Sequence, residues 1–223
     1  MKKLLFLLLF IPATGVFGQE INIDLDNFNE VEVSRGLTVN FTPAEENTAV
    51  ITGNSRDKIN LKVDKGVLII KTSLTQLLKS DNTVVNVYYK QLQDIKARQN
   101  AAVEFCSKIS QPLIKFKATE GAEIIAFIEV ENLVANASTG GNLRIRGKAE
   151  KQEIDVNAAG GFRGENLKGE NIRINLNGGG SVYVFAENYV DATVRAGGHV
   201  YIYGDPERVD EHTSFGGVIK KIN

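Results

Sequence analysis

The chain has 223 residues, with 26 Lys+Arg against 27 Asp+Glu, 43% hydrophobic residues, 21 Gly, one Cys and no Trp. That length suits one domain or two small ones, and a formal net charge of −1 argues against a strongly basic nucleic-acid binder. A lone Cys106 with only His199 and His212 leaves no material for an internal disulfide framework, a cysteine-cluster metal site or a multi-His centre.

In chain order, Lys2-Lys3 is followed by the apolar run Leu4 to Ile11 and by small residues and turn formers from Pro12 to Gly18. This three-part layout predicts a secretory signal peptide over 1–18, cut before Gln19. The apolar run is too short to cross a membrane core of roughly 30 Å, and no later segment approaches the length of a span. Cys106 lies far from the cut, which excludes a lipid attached to a cysteine there. Residues 19–223 are expected to form a single exported domain.

Residues 20–95 alternate apolar with polar side chains at Ile21-Ile23-Leu25, Val31-Val33, Leu37-Val39-Phe41, Ile59-Leu61-Val63 and Val85-Val87-Tyr89, the pattern of half-buried strands. Arg35-Gly36, Pro43, Gly53-Asn54 and Lys65-Gly66 break the runs. The expectation is a set of less regular coils (20–95), or a capping sheet over the open end of the C-terminal half. Thr72 to Asn82 holds Leu74, Leu77 and Leu78 at helical spacing, which predicts a short helix or an ordered loop.

From residue 96 a repeat takes over. Val103, Ile124, Leu143, Phe162, Val182, Val200 and Ile219 each follow a pair of small residues, at spacings of 21, 19, 19, 20, 18 and 19. Two positions earlier stand Ala101, Ala122, Gly141, Gly160, Gly180, Gly198 and Gly217, all Gly or Ala. Thirteen of the glycines fall between Gly140 and Gly204, most of them in these pairs. Alternating strands precede each pair, as in Ile114-Phe116-Ala118 and Ile172-Ile174-Leu176. A fixed period with the same small corner requires each repeat to stack in register on the last. An all-β solenoid that does so is a single-stranded parallel β-helix, here with about 19 residues per rung. At about 4.8 Å per rung, seven rungs make a rod of roughly 34 Å.

The chain also resembles a known family. Phe28-Asn29-Glu30-Val31-Glu32-Val33 leading to Gly36-Leu37-Val39, the run Lys65-Gly66-Val67-Leu68-Ile69-Ile70, the small pairs from Ala101-Ala102 onward and the ending Tyr203-Gly204-Asp205-Pro206 are similar to the auto-transporter adhesin, head GIN domain family. The resemblance covers about residues 28–223 and implies a right-handed parallel β-helix in an exported protein of a Gram-negative-type bacterium. It implies no catalytic residue, because fold analogy does not supply activity.

Some β-helices are polysaccharide lyases or hydrolases, which need carboxylates converging in one column of neighbouring rungs. The column nine before the anchors reads Lys115, Val134, Glu153, Arg173 and Asp191, mixed in sign and better read as a solvated face. Asp24 and Asp26 are too few for calcium, and neither His199 nor His212 has a Ser or Cys in regular relation to it. Cys106 is expected at a turn or partly buried. Asn177-Gly178-Gly179-Gly180-Ser181 lacks the following helix of a phosphate loop. No catalytic, cofactor or metal residue is therefore assigned. One outward stripe stands apart: Arg144, Arg146, Arg163, Tyr183, Phe185, Tyr201 and Tyr203. Arginine and aromatic side chains are enriched where surfaces bind partners, and flat rings suit sugar faces. The alternative is that the stripe is a stabilising ladder, or is covered by Pro206 to Asn223. The expectation is an exported, non-enzymatic binding module for a cell-surface polysaccharide or an envelope protein, with no nucleic acid and no cofactor. A carbohydrate-active enzyme and a self-assembling, homo-oligomeric surface protein stay open.

Overall fold

The computed structural model describes residues 20–73 and 82–222. The signal peptide expected over 1–18, and Leu74, Leu77 and Leu78 of the expected helix or loop, lie outside the described residues. Among the described residues the chain forms β1 (Ile21–Asp24), β2 (Glu30–Ser34), β3 (Thr38–Pro43), β4 (Thr48–Thr52), β5 (Ile59–Asp64), β6 (Val67–Thr72), β7 (Val84–Tyr89), β8 (Asp94–Ala97) and β9 (Ala102–Phe105). It continues with β10 (Ile109–Thr119), β11 (Glu123–Ser138), β12 (Asn142–Asn157), β13 (Gly161–Asn177), β14 (Ser181–Arg195), β15 (His199–Tyr203), β16 (Arg208–Ser214) and β17 (Val218–Ile222).

The parallel ladders wind these strands into a β-solenoid of about seven turns. The seven anchors fall into one column, Val103 beside Ile124, then Leu143, Phe162, Val182, Val200 and Ile219. We call this wall the front. The strand halves before the small-residue corner form the rear wall, where Ile95, Phe116, Ala135, Ile154, Ile174 and Ala192 stack likewise. Inward residues of the two walls meet inside the rod: the rings of Phe105 (front) and Phe116 (rear) lie 5.8 Å apart, edge to face. The buried side chains form one cluster running from Phe28 to Ile202.

The small pairs form the tight corner from rear to front. Two successive residues at each corner take left-handed backbone, such as Thr139 and Gly140 (φ 51° and 74°) or Ala196 and Gly197 (56° and 82°). The Gly141 N–H then donates to the Ser138 carbonyl at 2.9 Å, closing a turn of the I′ kind. Corners also bond to one another along the rod: Asn100 N–H donates to the Glu120 carbonyl at 2.9 Å, and Gly121 N–H to the Thr139 carbonyl at 3.1 Å. The corner keeps its length from rung to rung, leading Ala118 to Ile124, Ala137 to Leu143, Val156 to Phe162 and Leu176 to Val182 by the same step. The uneven spacings read from the sequence are therefore absorbed at the opposite bend, from front to rear.

The N-terminal half is more regular than its sequence suggests, but its rungs are out of chain order. Val31 of β2 lies between Leu68 of β6 and Ile95 of β8, and Val39 of β3 lies between Val85 of β7 and Val103 of β9. The rung made by β2 and β3 is thus sandwiched between two rungs that come after it in sequence. Antiparallel pairs also occur in this half: β4 on β7, β1 on β4, and β5 on β6. At the other end β16 and β17 add the last rung. There Glu211 follows Ala192 and Lys221 follows Ile202, so charge replaces the apolar column and blunts the open end.

Candidate functional surface

The solenoid register brings the expected stripe together on the outer side of the front wall. Its first column runs Glu104, Ile125, Arg144, Arg163, Tyr183, Tyr201 and Lys220 in direct succession. Residues two positions on give two separate pairs, Phe127 with Arg146 and Phe185 with Tyr203, because Arg146 pairs with Asn166 and Phe185 with Lys168 across the irregular part of β13. Strand alternation places all of these outward, because their neighbours Leu143, Ile145, Phe162, Val182, Val184, Val200 and Ile202 are buried. Residues 206–222 stack as the final rung beside β14 and β15 and do not fold over the stripe.

Side chains in the first column pack along the rod. Tyr183 and Tyr201 stack with centroids 4.8 Å apart and 14° between planes. That separation matches the spacing of adjacent strands, so the rings lie face to face along the rod axis. The Arg163 guanidinium covers the other side of Tyr183, 5.0 Å from its centroid. Both faces of Tyr183 are thus occupied, so this ring presents its edge and hydroxyl outward. Arg146 lies 4.4 Å above the Phe127 ring. Arg144 is paired with Glu123 at 2.8 Å and Arg163 with Glu165 at 3.8 Å, all on the same face.

A bulge shapes this face. Arg144 pairs with Arg163, but Arg146 pairs with Asn166, so β13 carries an extra residue at Gly164-Glu165. The bulge opens a groove of about 490 Å3 lined by Arg144, Arg146, Arg163, Glu165 and Asn166. Glu165 Oε2 is buried there with no hydrogen-bond partner among the described residues. The stripe read from the sequence did not include Phe127, Glu123, Glu165 or His199. Phe127 stands three after Ile124, the same phase as Arg146 and Tyr203, so the repeat itself could have found it. His199 lies two before Tyr201 on the outward phase, its ring 6.1 Å from Tyr201 and tilted by only 8°.

The other sequence candidates stay apart. Lys115, Val134, Glu153, Arg173 and Asp191 do form one rear column, with Arg173 3.6 Å from Asp191. In the last rung Asp210 accepts from Arg208 at 2.9 and 2.7 Å and from the Tyr189 hydroxyl at 2.8 Å. These bonds hold the Asp210 carboxyl below the usual carboxylate range, chiefly through Arg208, and push the Tyr189 phenol up. Asp24 ends edge strand β1, His212 sits in β16, and Cys106 is exposed just after β9 rather than partly buried. Gly178 to Gly180 form the corner between β13 and β14, with a strand following. Among the described residues no group of three or more His, Cys, Asp or Glu could hold a metal ion. Among them, too, no helix is long and apolar enough to cross a membrane.

The family described as "Putative auto-transporter adhesin, head GIN domain" matches residues 27–206. No curated protein matches the chain. Among solved structures, a putative adhesin from Bacteroides fragilis superposes with a TM-score of 0.82 at 15% identity, covering 92% of this chain and 96% of that one. A putative lipid binding protein from Parabacteroides distasonis has a TM-score of 0.68 at 15% identity over the same shares. A putative adhesin from Parabacteroides merdae has 0.62 at 18%, again covering 92% and 96%. At such identities the likeness is one of fold.

Proposed function

The chain belongs to the auto-transporter adhesin, head GIN domain family, and on that footing we propose that it is an exported, non-enzymatic binding module whose front wall engages a cell-surface polysaccharide. The observation that carries the reading is the in-register column Arg144, Arg163, Tyr183 and Tyr201, left uncovered by the final rung. Three arginines, tyrosine hydroxyls and the groove at the β13 bulge give many directed donors on one rigid face. Exposed Asn166 in the groove adds an amide donor and acceptor for a hydroxyl-rich ligand. A solenoid wall repeats these groups at the strand spacing, which suits a long chain ligand better than a compact one.

The non-enzymatic part is supported by how the outward acids are used. Glu123, Glu165, Asp191 and Asp210 each face a cation on the same surface, so they are poor candidates for a free acid and base pair. A lipid ligand would need an enclosed apolar cavity, whereas the front groove is open and flanked by arginine. The leader expected over 1–18 supports export, and display at the outer surface or in the periplasm is compatible with the same face.

A glycan array with the purified chain tests this. Binding is expected to fall at least about 10-fold when Tyr183, Tyr201 and Tyr203 are replaced together by Ala, the loss of one or two good contacts. The bound polysaccharide is expected to keep its chain length. Binding that survives the triple substitution would remove the face as the site, and shortening of the polysaccharide would make the protein a carbohydrate-active enzyme instead.

A further inference from the structure

A second site lies away from the front face, at the bend that carries the first rungs from front to rear. Here residues 89–93, leading from β7 into β8, and residues 108–113, entering β10, enclose a cleft of about 590 Å3. Its lining is mixed: Leu92 and Ile109 are buried beneath it, half-buried Leu113 and exposed Pro112 give it an apolar side, and the rest is polar.

Three groups in this cleft are incompletely used by the protein. Tyr89 is only 4% exposed, its ring held edge-on between Phe41 and Phe105 with centroids 6.2 Å away from each. Its hydroxyl makes no hydrogen bond among the described residues, and it is not one of the enclosed polar atoms, so it reaches the edge of the ring's packing. Because Tyr89 lines the cleft, the cleft is where a partner can come from. Burial pushes the phenol up to about 12, so at neutral pH it is a donor. Lys90 is exposed at the rim, its backbone N–H fixed by Asn47 Oδ1 at 2.9 Å, and among the described residues its ammonium has no ion-pair partner. The lining holds a second lysine, Lys108, paired with Glu129, and no carboxylate. Gln111 gives its amide protons to the Leu92 and Leu113 carbonyls at 2.9 and 2.6 Å, which fixes the side chain and leaves Oε1 as a free acceptor.

A phenol donor, an unpaired cation and an oriented acceptor beside the apolar edges of Pro112 and Leu113 complement a ligand with one carboxylate, several hydroxyls and a hydrocarbon face. We propose that the cleft beneath Tyr89 binds a hexuronate, either free or as the terminal unit of an acidic glycan. Tyr89 and Lys90 receive the carboxylate, Gln111 Oε1 accepts a ring hydroxyl, and the sugar's C–H face rests on Pro112 and Leu113. The volume is in the range of pockets for small ligands. The site shares no residue with the front face, so the two readings stand or fall separately.

Titration of the full chain with D-galacturonate, with D-galactose and acetate as controls, tests this by calorimetry. Galacturonate is expected to saturate the protein and to bind at least about 10-fold more tightly than either control. Tyr89→Phe keeps the ring contacts and removes the hydroxyl alone. It is expected to weaken galacturonate about 5- to 10-fold at unchanged Tm, the effect of one hydrogen bond to a charged group. Lys90→Gln is expected to erase the preference for galacturonate over galactose. The proposal is overturned by absence of saturable galacturonate binding, or by binding that both substitutions leave intact. It is equally overturned if Arg163→Ala on the front face weakens galacturonate and Tyr89→Phe does not.

Discussion

Gly140 and Gly141 sit side by side at one corner and do different work. Gly140 holds a left-handed backbone (φ 74°) with open space around it, the nearest atom to an added Cβ being Gly121 N at 3.9 Å. At Gly141 the added Cβ would lie 2.2 Å from the Ala118 carbonyl oxygen of the previous rung. Gly140→Ala is therefore expected to cost about 1 kcal/mol of backbone strain. Gly141→Ala is expected to cost more than about 2 kcal/mol, because the rungs must separate to admit the methyl. Urea unfolding of both variants reads the difference, and equal losses would contradict the close approach. The sequence showed that both positions are small, and it could not show which is small for the turn and which for stacking. Ala122 stands where Gly141 does one rung earlier and is fully buried, so residue type alone does not separate the two demands. The same limit applies to Tyr183 and Tyr201. Their shared phase was legible, but the direction of their ring planes depends on side-chain packing, which here stacks the two rings face to face.

At the scale of elements, the repeat from β10 to β15 was legible because its corner has fixed length and the column after it is always apolar. The order of the first rungs was not legible. The rung of β2 and β3 is sandwiched by strands that come later in the chain, and period-two alternation carries no information about which strands are neighbours. The last rung makes a pH prediction. Asp210 is held by Arg208 and Tyr189, and its folded carboxyl titrates below the unfolded value. Its contribution to β16 is therefore fully present above the unfolded carboxylate range and is lost as pH falls through the folded value. Protection of the amides in Arg208–Ser214 is expected to drop on acidification below about pH 4, ahead of the amides in β11 and β12. Asp210→Asn is expected to remove that step. An unchanged acid profile in this variant would mean that the carboxylate does not anchor the rung.

For the whole molecule, the solenoid explains why a chain with scattered arginines and tyrosines can present them as one surface. Each rung contributes one or two outward side chains to the front, and the ladder register aligns Arg144, Arg163, Tyr183 and Tyr201 over β12 to β15. The charged last rung of β16 and β17 blunts that end of the rod against further strand pairing. The central claim is that this aligned front wall is where the ligand lies. Hydrogen-exchange footprinting of the purified protein, with and without a polysaccharide selected on the array, measures it directly. The account predicts added protection in residues 142–146, 161–166, 181–185 and 199–203, and none in the rear halves of the same strands. Protection confined to the rear wall or to the ends of the rod would contradict it.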